Sequence, residues 1–222
     1  MKSEATHDPL FMPQDGYGNV QLNFTPVALE DFAVYAHAFH QAGNRLALHA
    51  FSGDGYSDAD ACPILYLYRH ALELYFKAIA LTGIKIAQID GEEHPEVTAV
   101  VQNHALAPHL AFLQNTFERV GWTWGWEQAD LRTFDDVKRM IAEIDHVDGG
   151  SFSFRYPVKR GGREASLSRG FLFHMPTLCS RLDSLLDALD AADTGLEAEY
   201  ELRVDGLMAR RDAYDSEPGN FG

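Results

Sequence analysis

The fold is decided by an 18-residue stretch, Ile64–Leu81, which reads ILYLYRHALELYFKAIAL. If this stretch is helical, its apolar side chains cover most faces of the helix, which is typical of a central helix rather than a surface helix. Asp60 or Pro63 is suited to begin the helix, and Gly83 is suited to end it. The stretch therefore predicts one central helix around which the other helices pack.

Amphipathic patterns on both sides of this stretch predict the other helices. Apolar residues recur every three or four positions from Pro26 to Phe51, and a stripe of leucines follows Thr177. Two weaker patterns, Ala105–Val120 and Thr133–His146, lie between them. We therefore expect an all-α, up-and-down bundle of four to five helices.

The helical patterns also divide the chain. Residues 1–24 are rich in Gly, Pro, Asn and Asp and predict an irregular N-terminal arm, residues 25–192 form the helical domain, and residues 193–222 form an acidic, partly helical tail. Within the domain, Ser151–Pro157 alternates apolar and polar residues, and a basic glycine turn and a second apolar segment follow. This pattern predicts a small β-hairpin insertion at about 151–174.

Composition excludes several classes of function. The 222 residues carry 18 Lys+Arg against 33 Asp+Glu, a net charge of −15, so the whole surface does not coat nucleic acid or anionic membrane. No apolar run reaches the roughly 20 residues of a membrane-spanning helix, and we expect no membrane contact. Cys62 and Cys179 match neither a disulfide framework nor a zinc spacing, and the N-terminus lacks a signal pattern. We expect a cytoplasmic protein with no cofactor and no metal.

Positive charge is concentrated in the predicted hairpin. Residues 153–175 hold five basic residues against one acidic residue. The basic residues are Arg155, Lys159, Arg160, Arg163 and Arg169. One interpretation is an edge that contacts phosphates of RNA or a nucleotide. The alternative is that Arg155 reaches Glu73 and has a structural role.

Three charged residues of the central stretch share one helix face. Arg69, Glu73 and Lys77 are spaced i, i+4 and i+8, among residues that are almost all apolar. Buried ions need partners, so one interpretation is an internal network in which Glu73 and Lys77 are structural. The functional interpretation is a polar cleft in which Arg69 or His70 faces a phosphate or a ribose.

Three motifs of the chain occur together in one known superfamily: the run from Arg69 to Lys77, a helix led by His104 or His109, and Phe154-Arg155-Tyr156-Pro157. Through these motifs the chain resembles the HEPN (higher eukaryotes and prokaryotes nucleotide-binding) superfamily. The resemblance covers roughly residues 25–192, and the pairing of its first and third motifs is associated with bacterial members of unassigned function. It implies a helical bundle, frequently a two-fold dimer, that acts in nucleotide or RNA transactions.

Many HEPN proteins are metal-independent endoribonucleases of toxin or phage-defence systems, and others have lost catalysis. The nucleases carry an Arg, then four to six residues of which the first is polar, then a His. Arg139 and His146 are separated by six residues, but Met140 follows the Arg, so the match is partial. Cleavage of RNA without a metal needs a base and a cation. The candidate catalytic residues are therefore Arg69, His70, Arg139 and His146.

Two questions about partners follow from the sequence. Three alternating tryptophans, Trp122, Trp124 and Trp126, form either the cover of the bundle end and an oligomer contact or a platform for stacked bases. Together with the apolar central helix they favour a homodimer, and the resemblance adds an antitoxin or another protein partner. The competing function is a non-catalytic helical interaction or scaffold domain with a structural Arg-Glu-Lys network.

Overall fold

The computed structural model describes residue 15 and residues 17–22, 24–53, 57–127, 131–159 and 161–216. Six α-helices lie in these ranges. They are α1 (Phe32–Ser52), α2 (Ala61–Asp90), α3 (Val97–Val101), α4 (Ala107–Arg119), α5 (Phe134–Asp148) and α6 (Met175–Ser216). Short 3-10 helices, Ala28–Asp31 and Asp58–Asp60, precede α1 and α2. The all-α prediction is confirmed.

Helix α2 lies at the centre, as its sequence predicts. It packs against α1, α4 and α6, and Tyr68, Leu72, Tyr75 and Ile79 are fully buried along it. Burial of such side chains is worth about 1.5–3 kcal/mol each, so this helix provides much of the core.

Three hydroxyl-to-carboxylate hydrogen bonds align α2 with α6. The pairs are Tyr68 to Asp183 at 2.7 Å, Tyr75 to Asp190 at 2.6 Å and Thr82 to Glu197 at 2.6 Å. Donors and acceptors both advance by seven residues, the period that keeps one helix face against a neighbouring helix. The two helices therefore run parallel, and each of these three hydroxyls has a partner.

Two predicted helix ends differ from the structure. Gly83 lies inside α2, where it contacts α4, and the helix continues to Asp90 and ends at Gly91, whose φ is 69°. The start of α5 follows the sequence more closely: Thr133 accepts from the backbone N–H of Asp136, and the Asp136 side chain accepts from that of Thr133. This reciprocal pair fixes the first turn of α5.

The predicted hairpin at 151–174 is wrong for the part of the chain that the structure describes, where no strand is formed. Only an isolated antiparallel bridge joins Val158 and Ala165. The backbone N–H groups of Phe152 and Ser153 donate to the buried carboxylate of Asp148, at 2.5 and 2.7 Å. Hydrogen bonds of this kind compete with strand pairing, and they fold the alternating segment into turns. We call residues 149–174 the basic loop.

The structure describes the two ends of the chain to different extents. Most of the predicted arm, residues 1–24, and residues 217–222 lie outside the described ranges. Helix α6 runs without a break through position 193, where the tail was predicted to begin. Leu196 is its last buried apolar residue. None of the helices described is both long enough and apolar enough to cross a membrane.

Candidate functional site

The site is built on three buried charges of α2. Arg69 is 1% exposed, and Glu73 and Lys77 are buried beside it. Lys77 Nζ lies 2.8 Å from Glu73 Oε1, and Arg69 Nη1 lies 3.4 Å from Glu73 Oε2. The spacing of four residues brings the three groups together, as the sequence predicts. Two cations thus compensate one buried carboxylate.

Arg69 also joins α2 to two other helices. Its Nη2 donates to the carbonyl of His104 at 2.5 Å and lies 3.8 Å from Asp145 Oδ1 on α5. The Asp145 carboxylate accepts from the backbone N–H groups of Leu106 and Ala107 at 3.2 and 2.7 Å. Asp145 therefore satisfies free amides at the start of α4. One buried arginine fixes the relative positions of α2, α4 and α5.

Burial and charge act in opposite directions on the ionisation of these groups. Burial lowers the pKa of Arg69, while Glu73 and Asp145 oppose the shift. Burial alone would raise the pKa of Glu73, but hydrogen bonds from Lys77 and His104 and the charge of Arg69 hold it below its ordinary value. Glu73 is therefore an ionised carboxylate at neutral pH.

His104 is the exposed end of this cluster. Its Nδ1 lies 2.9 Å from Glu73 Oε1, and its side chain is 62% exposed. Since the ionised Glu73 carboxylate can only accept, Nδ1–H of His104 is the donor in this contact. No pattern in the sequence indicates this pair, because 31 residues separate its members. His104 was predicted only to lead a helix.

His70 lies next to the cluster in an aromatic setting. Its ring stacks on Tyr66 at 5.6 Å between centroids and meets the ring of Phe39 edge-on at 4.5 Å. Burial, followed by the charges of Lys77 and Arg155, lowers the pKa of His70. His70 is therefore neutral at pH 7 and is held between two aromatic rings.

Arg139 and His146 lie on the exposed face of α5. Arg139 Nη2 lies 2.6 Å from Asp136 Oδ1 in an exposed i, i+3 pair. No contact joins either residue to Arg69 or His70 among the side chains described. Arg139 and His146 are thus exposed on α5, whereas Arg69 is buried, and a catalytic role for any of these residues stays a prediction.

Arg155 does not reach Glu73, so the expected ion pair is wrong. Arg155 Nε donates to the Ser151 carbonyl at 2.6 Å, and its guanidinium lies over the ring of Tyr66 at 5.5 Å and that of Tyr156 at 5.7 Å. The carboxylate of Glu73 already has Arg69, Lys77 and His104 as partners. Arg155 is instead held against the outside of α2 by cation–π contacts.

The other cations of the basic loop are exposed. Lys159 pairs with Glu164 at 3.1 Å on the surface. Arg163 and Arg169 are exposed, and no ion pair is formed by either within the described ranges. Arg160 lies outside the described residues. The loop therefore presents at least two cations that are available to a ligand.

The tryptophans pack on the chain itself. Trp122 closely approaches Gly195 of α6, where an added Cβ would lie 2.6 Å from the indole ring, and Trp124 Nε1 donates to the Leu131 carbonyl at 2.7 Å. The apolar surface of α2, from which a dimer was also predicted, is covered by α1, α4 and α6. A homodimer therefore stays a prediction.

Comparison with known proteins gives no further assignment. No family model matches the chain, and neither the curated proteins nor the solved structures include a significant match. In the part of the chain that can be described, no group of three or more His, Cys, Asp or Glu side chains is placed to hold a metal ion. The HEPN resemblance stays a prediction.

Proposed function

We propose that this chain is a HEPN-like, nucleotide- or RNA-interacting protein that binds phosphates through the basic loop. The exposure of Arg163 and Arg169, which have no carboxylate partners among the described residues, carries the proposal. In a chain of net charge −15, the segment 153–175 has five basic residues and one acidic residue. The acidic bulk restricts phosphate contact to this loop.

Lys159 offers a third cation, because only a weak ion pair has to be broken to free it. Its partner Glu164 is exposed, and exposed ion pairs contribute only about 0–1 kcal/mol, so a phosphate can replace the carboxylate. Arg155 is held against Tyr66 and Tyr156, and these two rings offer stacking surfaces beside a cation. A short single strand fits this chemistry: phosphates on the cations and a base on a tyrosine.

The test is the salt dependence of RNA binding. Anisotropy of a short fluorescein-labelled oligouridine is measured against salt for wild type and for the variant Lys159→Gln/Arg163→Gln/Arg169→Gln. Each lost phosphate contact reduces the slope of log K against log salt by about 0.7, so we expect the slope to fall by about two units. A control variant with equal charge change, Arg45→Gln/Arg132→Gln/Lys138→Gln, alters exposed cations elsewhere and should keep the wild-type slope. Equal slopes for both variants would refute the proposal.

Cleavage is tested separately, with a chelator present. If the protein is a metal-independent endoribonuclease of a toxin or phage-defence system, wild type cuts the RNA, and the predicted residues are tested by Arg139→Ala and His146→Ala. His104→Gln is included because its ring is oriented by Glu73 as a base would be. A wild type that binds but does not cut would identify a binding protein.

A second candidate is a non-catalytic interaction or scaffold domain. It is favoured by Arg69, which is buried and contacts groups from α2, α5 and the segment before α4, as a structural arginine would. This candidate predicts no salt-dependent RNA binding and a protein partner instead, either an antitoxin or a second copy. Light scattering measures the homodimer directly. Cys62 and Cys179 are both free, which supports a cytoplasmic setting for either candidate.

A further inference from the structure

A cavity of about 180 Å³ lies between α2, α5, α6 and the basic loop. Its walls are mostly apolar, and its charged lining residues are Arg69, Glu143 and Arg181. Representative lining residues are Leu72 of α2, Ile144 of α5, Phe154, Phe171 and Phe173 of the basic loop, and Leu182 of α6. An apolar cavity of about 150 Å³ in another protein stays dry and accepts benzene. The space is therefore sufficient for one aromatic ring with a small substituent.

Arg69 gives this apolar cavity a polar group. It is one of the lining residues, and its side chain is buried. Nη1 is engaged by Glu73 and Nη2 by the His104 carbonyl, whereas Nε is buried and has no hydrogen-bond partner among the described residues. A buried donor left unpaired costs about 1–3 kcal/mol, so a ligand that accepts from Nε gains that interaction.

The surroundings of Arg69 determine the charge of such a ligand. Carboxylate oxygens of Glu73 and Asp145 lie 3.4 and 3.8 Å from its guanidinium, and Asp148 is close enough to stabilise its charge. The positive charge of Arg69 is therefore already compensated, and the other two charged lining residues, Glu143 and Arg181, are opposite in sign. A ligand anion would add a further negative charge inside an apolar cavity, where unpaired ions are strongly disfavoured.

We propose that the cavity binds a small, neutral, mainly apolar molecule that carries one carbonyl group, with the carbonyl oxygen accepting from Arg69 Nε. A ring with a short carbonyl substituent, about nine non-hydrogen atoms, matches the volume. The ligand packs against Phe154, Phe171 and Phe173, so it supports the loop that carries the exposed cations. This site does not depend on the proposed RNA contact.

Three probes of nearly equal shape test the proposal without substituting Arg69, whose loss would disturb the helix packing. They are acetophenone, which carries the carbonyl, α-methylstyrene, in which a CH₂ group replaces the oxygen, and benzoate, which is an anion. Binding is measured by NMR chemical-shift titration of the full chain. Since hydrogen bonds to charged groups are among the stronger ones, we expect acetophenone to bind at least about tenfold more tightly than α-methylstyrene, and benzoate most weakly.

A variant that fills the cavity tests whether acetophenone binds there. Ile144→Phe places extra atoms in the cavity and should abolish acetophenone binding, while Leu48→Phe, on the exposed surface of α1, should leave it unchanged. Circular dichroism checks that both variants are folded. The proposal is overturned if no probe binds, if acetophenone and α-methylstyrene bind equally, if benzoate binds most tightly, or if Ile144→Phe binds as wild type does.

Discussion

Thr116 Oγ1 of α4 lies only 2.2 Å from the position that a Cβ on Gly83 of α2 would occupy. No side chain fits between the two helices at this point, so their backbones approach closely because residue 83 is glycine. Gly83→Ala should therefore destabilise the protein by about 1–3 kcal/mol, although alanine is the better helix former by about 1 kcal/mol. Urea denaturation measures the change.

Gly206 of α6 provides the matched control. Nothing lies within 4 Å of a Cβ added there, so Gly206→Ala should stabilise its helix by about 0.5–1 kcal/mol. Removing the opposing hydroxyl in Gly83→Ala/Thr116→Ala should recover part of the loss. Equal stabilisation by Gly83→Ala and Gly206→Ala would show that the helices do not approach as described.

The buried carboxylate of Glu73 should be important for stability. Glu73→Gln leaves Arg69 and Lys77 as buried cations without their shared anion, and loss of one partner of a buried ion pair costs about 3–5 kcal/mol. Glu164→Gln removes the partner of exposed Lys159 by the same chemical change and should cost less than about 1 kcal/mol. Similar midpoints for both variants in chemical denaturation would contradict a buried network.

Asp193 should make stability depend on pH. It is 7% exposed, and one of its carboxylate oxygens has no hydrogen-bond partner among the described residues. Burial, followed by the charges of Glu197 and Asp190, raises its pKa to about 7, and the charge of Lys85 opposes this shift. Because the folded-state pKa lies above the unfolded value, its contribution to stability is complete below about pH 4 and is lost as the pH rises to about 7. The loss is up to about 4 kcal/mol, from about 1.4 kcal/mol per pKa unit.

Two variants separate the effect of the Asp193 carboxyl on stability from the effects of the other acidic residues. Asp193→Asn cannot ionise, so it should be more stable than wild type at about pH 8, and this difference should shrink towards pH 4. Asp187→Asn changes an exposed carboxylate of the same helix and should give a nearly constant difference. A constant difference for Asp193→Asn as well would rule out the raised pKa.

The packed portion of α6 should be better protected from hydrogen exchange than its last turns. Leu196 is the last buried apolar residue, and the side chains of residues 205–214 are all exposed. The contacts of Tyr200 with Lys85 and of Arg203 with Asp90 lie between these regions. Amide exchange followed by mass spectrometry should show slow exchange up to about Leu196 and fast exchange beyond Asp205. Uniform protection to Ser216 would indicate a further packing partner.

The features that the sequence predicted are local or periodic. The apolar faces of α2 predict its central position, and the amphipathic pattern over Thr133–His146 predicts α5, since both signals lie within one helix. The ladder of Arg69, Glu73 and Lys77 is visible for the same reason. On α2 and α6 the seven-residue spacing of Tyr68, Tyr75 and Thr82 and of their acceptors is also present, but spacing alone does not say which helices meet.

The features that could not be predicted depend on contacts between distant segments. Glu73 meets His104 across 31 residues, and Gly83 meets Thr116 across 33. The alternation at 151–157 resembles a strand, but Asp148 binds the backbone amides that a strand partner would need. The RNA-binding and catalytic predictions rest on individual side chains rather than on the fold, and the fold neither requires nor forbids them.

Helix α6 has a consequence for how unfolding is observed. Its 42 residues extend for about 63 Å, and the final segment has few tertiary contacts, so heating should unwind it turn by turn. Far-ultraviolet dichroism would then decline before the main transition, while fluorescence of the packed Trp122 and Trp124 would not change. Two probes of one molecule would report different midpoints although no folding intermediate is populated. The usual coincidence test for two-state behaviour would fail here because of helix fraying alone.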